Sequence, residues 1–153
     1  MAARREIASR LFPPSLMASM GAIQAGYEKP HVLVVDDEVD TADSSAMILA
    51  HYGYRADVAY HSEMALKIAG VRPPQAVLID IAMPTCDGYF LARELRRLPG
   101  MQDALLICVS GYGTLEDRQK SREAGCQFHF IKPVDWQALL KTLEPLKLAL
   151  SNV

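Results

Sequence analysis

No stretch of this chain is long and apolar enough to cross a membrane as a helix. The basic start around Arg4, Arg5 and Arg10 is not followed by the apolar run that a secretory signal needs. Neither sign of charge dominates. The formal net charge over 153 residues is -2, which argues against nucleic-acid binding through bulk charge. Cysteine is scarce: Cys86, Cys108 and Cys126 make an odd count at irregular spacing and read as reduced thiols of a cytoplasmic protein. No Cys and His stand at metal-ligand spacing, and there is no internal repeat or low-complexity tract. These gaps exclude a helical membrane span, a zinc module and a repeat array. What is present is 50% hydrophobic sequence, enough for one domain with a full core.

That hydrophobicity sits in short runs, four of which end in a chemically active residue. Val32 to Val35 ends in Asp36, Asp37 and Glu38, and Ala76 to Ile79 ends in Asp80. Leu105 to Val109 ends in Ser110, and Phe128 to Ile131 ends in Lys132 and Pro133. Short apolar runs rich in Val and Ile predict strands buried on both faces. In an open parallel sheet the carboxyl ends of the strands line one edge, and ligands bind there. Adjacent carboxylates such as Asp36 and Asp37 repel each other and lose by burial, so they call for water or a cation. Oxygen donors of this kind suit magnesium, and a hydroxyl with an ammonium suits a phosphoryl group.

Between the runs the spacing is mostly helical. Glu38 to Tyr52 places Ala42, Ala46, Ile48, Leu49 and Tyr52 inward, with Glu38 in the first turn and Gly53 as terminator. Tyr54 to Ala59 is a short, polar strand suited to a sheet edge. Ser62 is expected to cap a helix with Ala65, Leu66, Ile68 and Ala69 inward. Tyr89 to Leu98 is expected to turn Phe90, Leu91, Leu95 and Leu98 inward. The next helix, opened by Thr114 and Asp117 as a capping box, has few large apolar residues beyond Leu115 and is a candidate moving element. Asp135 caps the last, whose stripe is Trp136, Leu139, Leu140, Leu143 and Leu146, with Pro145 as a kink or a new turn. Five strands alternating with five helices predict an α/β fold, a doubly wound parallel sheet with helices on both faces. Residues 1–30 read as a flexible extension and 31–149 as the domain.

Taken together, Val35-Asp36-Asp37-Glu38, Asp80-Ile81-Ala82-Met83-Pro84 with Asp87-Gly88, Ser110-Gly111 and Lys132-Pro133 resemble the receiver domain of two-component response regulators. The resemblance implies a flavodoxin-like sheet of order 2-1-3-4-5. It implies Asp80 as phosphoryl acceptor, a carboxylate acting as nucleophile. It implies a magnesium site of Asp37, Asp80 and the Ala82 carbonyl, with Asp36 acting through a metal-bound water. Lys132 and Ser110 then contact the phosphoryl group, and Pro133 follows a cis bond. Ser110 and His129 take the places of the conformational switch; Tyr or Phe is usual where His129 stands, and histidine changes charge near neutral pH. Ala82 and Tyr112 occupy the two positions that tune phosphoryl lifetime. Neither bears an acid or amide, and bulky Tyr112 is expected to shield the site. Thr85 and Cys86 lie in the loop beside Asp80, Cys86 as a bystander thiol.

The implied function is a stand-alone receiver in a phosphorelay. Its donor is a phosphohistidine on a sensor histidine kinase or a histidine-phosphotransfer protein. The chain would then be a phosphoacceptor that assists its own phosphotransfer and dephosphorylation, not an enzyme in its own right. Output is expected through contact with a downstream protein at helix 4, strand 5 and helix 5, with no nucleic-acid or membrane partner. Gly111-Tyr112-Gly113 and Phe128 to Asp135 look most like receivers attached to hybrid sensor kinases, which raises a relay or phosphate-sink role. A rival is a phosphorylation-independent binding module that keeps the fold. A magnesium-dependent phosphatase of similar fold would need an aspartate where Ala82 stands.

Overall fold

The computed structural model describes residues 29–84 and 86–151. The expectations for residues 1–28 and for Thr85 lie outside them. All five strands form: β1 (His31–Val35), β2 (Arg55–Ala59), β3 (Ala76–Asp80), β4 (Leu105–Ser110) and β5 (Phe128–Ile131). Five helices alternate with them: α1 (Val39–His51), α2 (Ser62–Val71), α3 (Gly88–Arg97), α4 (Leu115–Glu123) and α5 (Trp136–Ser151). The strands pair in parallel in the order β2-β1-β3-β4-β5. The polar strand β2 takes an edge, where only one neighbour must be satisfied.

Strand alternation divides the core into two layers. Leu33, Val35, Val77, Ile79, Leu106 and Cys108 face α2 and α3, meeting Ala65, Ala69, Leu91, Ala92 and Leu95. Val32, Val34, Leu78 and Ile107 face α1 and α5, meeting Ala42, Leu49, Leu139 and Leu143. Lys147 of α5 donates to the Tyr52 carbonyl and sits 4.4 Å over the Tyr54 ring, tying α5 to the end of α1. Within α4 the one buried residue is Ser121, while Leu115 is 85% exposed. The thin packing expected of this helix is therefore what the chain adopts.

Several local expectations are corrected. Glu38 is the N-cap of α1 rather than a first-turn residue; its carboxylate accepts from Thr41 Oγ1 at 2.7 Å. His61, not Ser62, caps α2. Its extended backbone lets Nδ1 accept from the Met64 N–H at 3.2 Å, and Ser62 is already helical. Phe90 is exposed, because the buried stripe of α3 is Gly88, Leu91, Ala92 and Leu95 and Phe90 points off it. Tyr52, at the cap beyond α1, is exposed too. Helix α5 runs through Pro145 to Ser151. Cys108 and Cys126 are not separate thiols. Cys108 in β4 and Cys126, in the turn between α4 and β5, have their Cα atoms 6.2 Å apart, and they form a disulfide, leaving Cys86 free.

Candidate functional site

Backbone hydrogen bonds between neighbouring strand ends assemble the site. The Asp36 N–H donates to the Ala59 carbonyl at 3.1 Å, Ile81 N–H to Val109 at 3.0 Å, and Lys132 N–H to Ser110 at 2.8 Å. Each residue that terminates an apolar run is thereby held at one sheet edge. Asp36 and Asp80 are only 5% and 6% exposed, Ser110 is buried, and Asp37 is open to solvent.

The carboxylates of Asp36, Asp37 and Asp80 each bring an oxygen within 4.8 Å of the others. Lys132 Nζ lies between two of them, 3.2 Å from Asp36 Oδ2 and 3.4 Å from Asp80 Oδ2. The remaining oxygens face backbone donors. Glu38 N–H donates to Asp36 Oδ1 at 2.9 Å, and Ala82 N–H donates to Asp80 Oδ1 at 3.1 Å. Burial pushes the Asp36 carboxyl above its ordinary value, and the Asp80 charge adds to this. The Glu38 N–H and Lys132 oppose the rise without cancelling it. Burial acts to lower the Lys132 ammonium, but Asp80 and Asp36 outweigh it and the net direction is upward. One cation, paired with two of them, thus serves a cluster of three carboxylates, and the surplus negative charge fits an all-oxygen divalent ion. A cavity of about 300 Å³ borders Asp36, Asp80 and Lys132 and is also lined by Thr41, Ser45 and Trp136.

The other expected residues surround this cluster in different ways. Ser110 Oγ accepts from the Tyr112 N–H at 3.0 Å, which leaves the hydroxyl proton to donate elsewhere. His129 is half-buried, with Nε2 2.9 Å from the Tyr112 carbonyl and Nδ1 2.6 Å from Ser121 Oγ. A carbonyl only accepts, so Nε2 carries a proton. The Tyr112 side chain is mostly in solvent, not packed over the acidic cluster as expected. Ala82 is exposed and Cys86 half-buried beside Asp87. The Lys132–Pro133 bond is cis.

Three residues have roles that the sequence did not assign them. A Cβ on Gly88 would lie 2.6 Å from the Asp80 carbonyl and 2.8 Å from the Ile81 Cα, so the backbone behind Asp80 needs glycine there. A Cβ on Gly113 would run into the Ile131 side chain, which fixes how closely the β4–α4 loop approaches β5. Ser121 reads as a polar surface residue by composition, yet it is buried and bonded to His129. Its position four residues after Asp117, to whose carbonyl it donates at 2.9 Å, was the available signal.

Comparison with known proteins agrees with this arrangement. Residues 32–144 match the family model of the response regulator receiver domain. The chain is 33% identical over 118 residues to an uncharacterized 14.6 kDa protein of Leptolyngbya boryana, covering 77% of this chain and 90% of that one. Four further relatives at 33% identity are transcriptional regulators, of which the chain spans 43% to 47%. A CheY-like response regulator receiver domain protein from Methanospirillum hungatei superposes with a TM-score of 0.71 at 29% identity, over 78% of this chain and 95% of that one. A response regulator from Burkholderia pseudomallei, solved with a phosphorylated aspartic acid and a calcium ion, superposes at 0.68 with 25% identity, over 73% and 65%. Among the described residues, no helix is long and apolar enough to cross a membrane.

Proposed function

The chain belongs to the response regulator receiver family of two-component signalling, and from that premise we propose that it accepts a phosphoryl group on Asp80 from a phosphohistidine donor, with magnesium at the acidic cluster. The observation that carries this reading is the position of Lys132, 3.2 Å and 3.4 Å from Asp36 and Asp80 within a cluster of three carboxylates. The phosphorylated aspartic acid of the Burkholderia relative points the same way.

Asp37, Asp80 and the Ala82 carbonyl would hold the ion directly, and Asp36 through water. Bound there, it would neutralise charge on the transferring phosphoryl oxygens. An Asp80 carboxylate oxygen attacks phosphorus. The new O–P bond forms as the N–P bond breaks, and its electron pair stays on the donor imidazole. The Ala82 N–H at 3.1 Å orients the attacking carboxylate. The Lys132 ammonium exchanges a carboxylate partner for a phosphoryl oxygen, and Ser110 donates its free hydroxyl proton to another. Movement of Ser110 then draws on the Tyr112 N–H it now accepts from, and His129, bonded to the Tyr112 carbonyl, follows. The pair acts as the switch.

The donor is a sensor histidine kinase or a histidine-phosphotransfer protein, met in the cytoplasm. The signal leaves by contact with a protein at α4, β5 and α5. The exposed Leu115, Phe128 and Ile131 support that surface. Intact-mass measurement with acetyl phosphate and magnesium tests the reading. One phosphoryl group should appear on the wild type and none on Asp80→Asn. An unlabelled wild type would leave a binding module that keeps only the fold, and a labelled variant would move the acceptor.

A further inference from the structure

We propose that Cys108 and Cys126 are a redox site, a dithiol that exchanges with low-molecular-weight disulfides and, once oxidised, clamps the C-terminal end of α4 to β4. The two residues are 18 apart in sequence, and their Cα atoms lie 6.2 Å apart, within the span a disulfide can bridge. The segment they enclose contains Ser110, the β4–α4 loop and all of α4. The register pairs Cys108 with His129, and Ser110 follows Cys108 by two residues. The crosslink therefore sits at the root of the one helix with almost no apolar anchorage of its own.

Access to the pair is one-sided. Cys108 is wholly buried in β4. Cys126 is itself only 4% exposed, but it lines a cavity of about 320 Å³ together with Arg118, Arg122, Phe128 and His129, through which it is reached. Neither arginine pairs with a carboxylate among the described residues. Positive charge favours a thiolate, and the thiolate is the attacking form. This assigns the order of events. The Cys126 thiol loses its proton to water and attacks one sulfur of a disulfide such as glutathione disulfide. A Cys126–glutathione bond forms and one glutathione thiolate leaves. Cys108, deprotonated in turn, attacks the Cys126 sulfur and expels the second. Two protein thiols have then been oxidised, one external disulfide has been reduced to two thiols, and the two protons reside on those thiols. In a reducing compartment a bond of this kind is transient and regulatory. Its effect is to remove conformations of the enclosed segment in which α4 has come away from the sheet.

The test uses the full chain with Cys86→Ser, which leaves only this pair. After glutathione disulfide, denaturation and alkylation, we expect no modified thiol and no retained glutathione; after dithiothreitol, two modified thiols. Hydrogen exchange across Leu115–Glu123 should be slower in the oxidised form by about tenfold. Two alkylated thiols after glutathione disulfide, or a lasting Cys126–glutathione adduct, would refute pair formation. Equal exchange in the two redox states would refute the clamp. A Cys126→Ser chain should exchange alike in both buffers, and the redox comparison stands whether or not that variant folds. No readout involves phosphorylation, so failure here is separable from failure of the Asp80 assignment.

Discussion

A methyl group on residue 88 would collide with the backbone that carries Asp80. The two nearest neighbours are main-chain atoms, which cannot swing aside. Gly88→Ala should therefore shift Asp80, cost about 1–3 kcal/mol of stability, and slow labelling by acetyl phosphate more than the lost stability explains. Urea unfolding beside a labelling time course separates the two effects. At His129 the question is a hydrogen bond that an ordinary aromatic would not make. Nε2 donates to the Tyr112 carbonyl, while Ser121 Oγ, which donates to the Asp117 carbonyl, lies 2.6 Å from Nδ1. His129→Phe should keep the fold, lose about 0.5–1.5 kcal/mol, and raise hydrogen exchange across Gly111–Gly113. Unchanged exchange there would remove His129 from the proposed switch. The departure at His129 was legible as a residue out of pattern. Its partners were not, because Ser121 and the Tyr112 carbonyl come from different elements.

Elements are joined here by side chains whose role no periodicity reveals. Arg96, near the end of α3, donates to the carbonyls of Met101 and Gln102 at 2.9 Å and of Ala104 and Gly125 at 2.8 Å. It thereby binds α3 to the approach of β4 and to the turn before β5. By sequence it is a basic residue in a last helical turn, which the helix dipole alone would explain. Removing it leaves several carbonyls without a donor. Arg96→Met should cost about 2–4 kcal/mol, read from the denaturant midpoint at unchanged slope. Arg96→Lys should recover only part, since an ammonium cannot reproduce the planar fork. The helix caps carry a related lesson. The Thr114–Asp117 capping box was readable because its two members stand at fixed spacing. The His61 cap was not, because it depends on an extended backbone that only the β2–α2 connection sets.

For the whole molecule, the acidic edge is a liability that a cation relieves. The Asp36 carboxyl titrates above its ordinary 3.8 when folded, chiefly through burial. A carboxyl raised by folding stabilises the native state while protonated and loses that contribution as pH rises through the folded value. The wild type should thus fall in stability relative to Asp36→Asn over the window above 3.8, and the difference between their melting curves isolates the effect. Magnesium should raise the melting temperature of the wild type beyond a matched monovalent salt. At about ten times its Kd, a ligand that binds only the native state adds about 1.4 kcal/mol. Asp37→Ala should lose that response and be more stable without the ion. A wild-type melt indifferent to magnesium would count against the site.

Sequence alone determined the sheet, its buried strands and the five residues placed at its edge. A strand buried on both faces must be apolar, and the point where it stops being apolar marks where the chain meets solvent and chemistry. Asp36, Asp37, Asp80 and Ser110 are such points. Lys132 instead follows β5, an edge strand whose Phe128 and Ile131 are exposed rather than buried on both faces. The five converge once the strands pair in parallel. Tertiary structure decided whatever depends on distance between elements. It turned Cys108 and Cys126 from two unrelated thiols into a pair. It buried Ser121 against His129 and spread Arg96 over four carbonyls. It also turned Phe90 outward and left Tyr112 in solvent. Periodicity reports which face of an element is apolar, but not which residue of another element lies opposite. That second relation exists only after the layers pack.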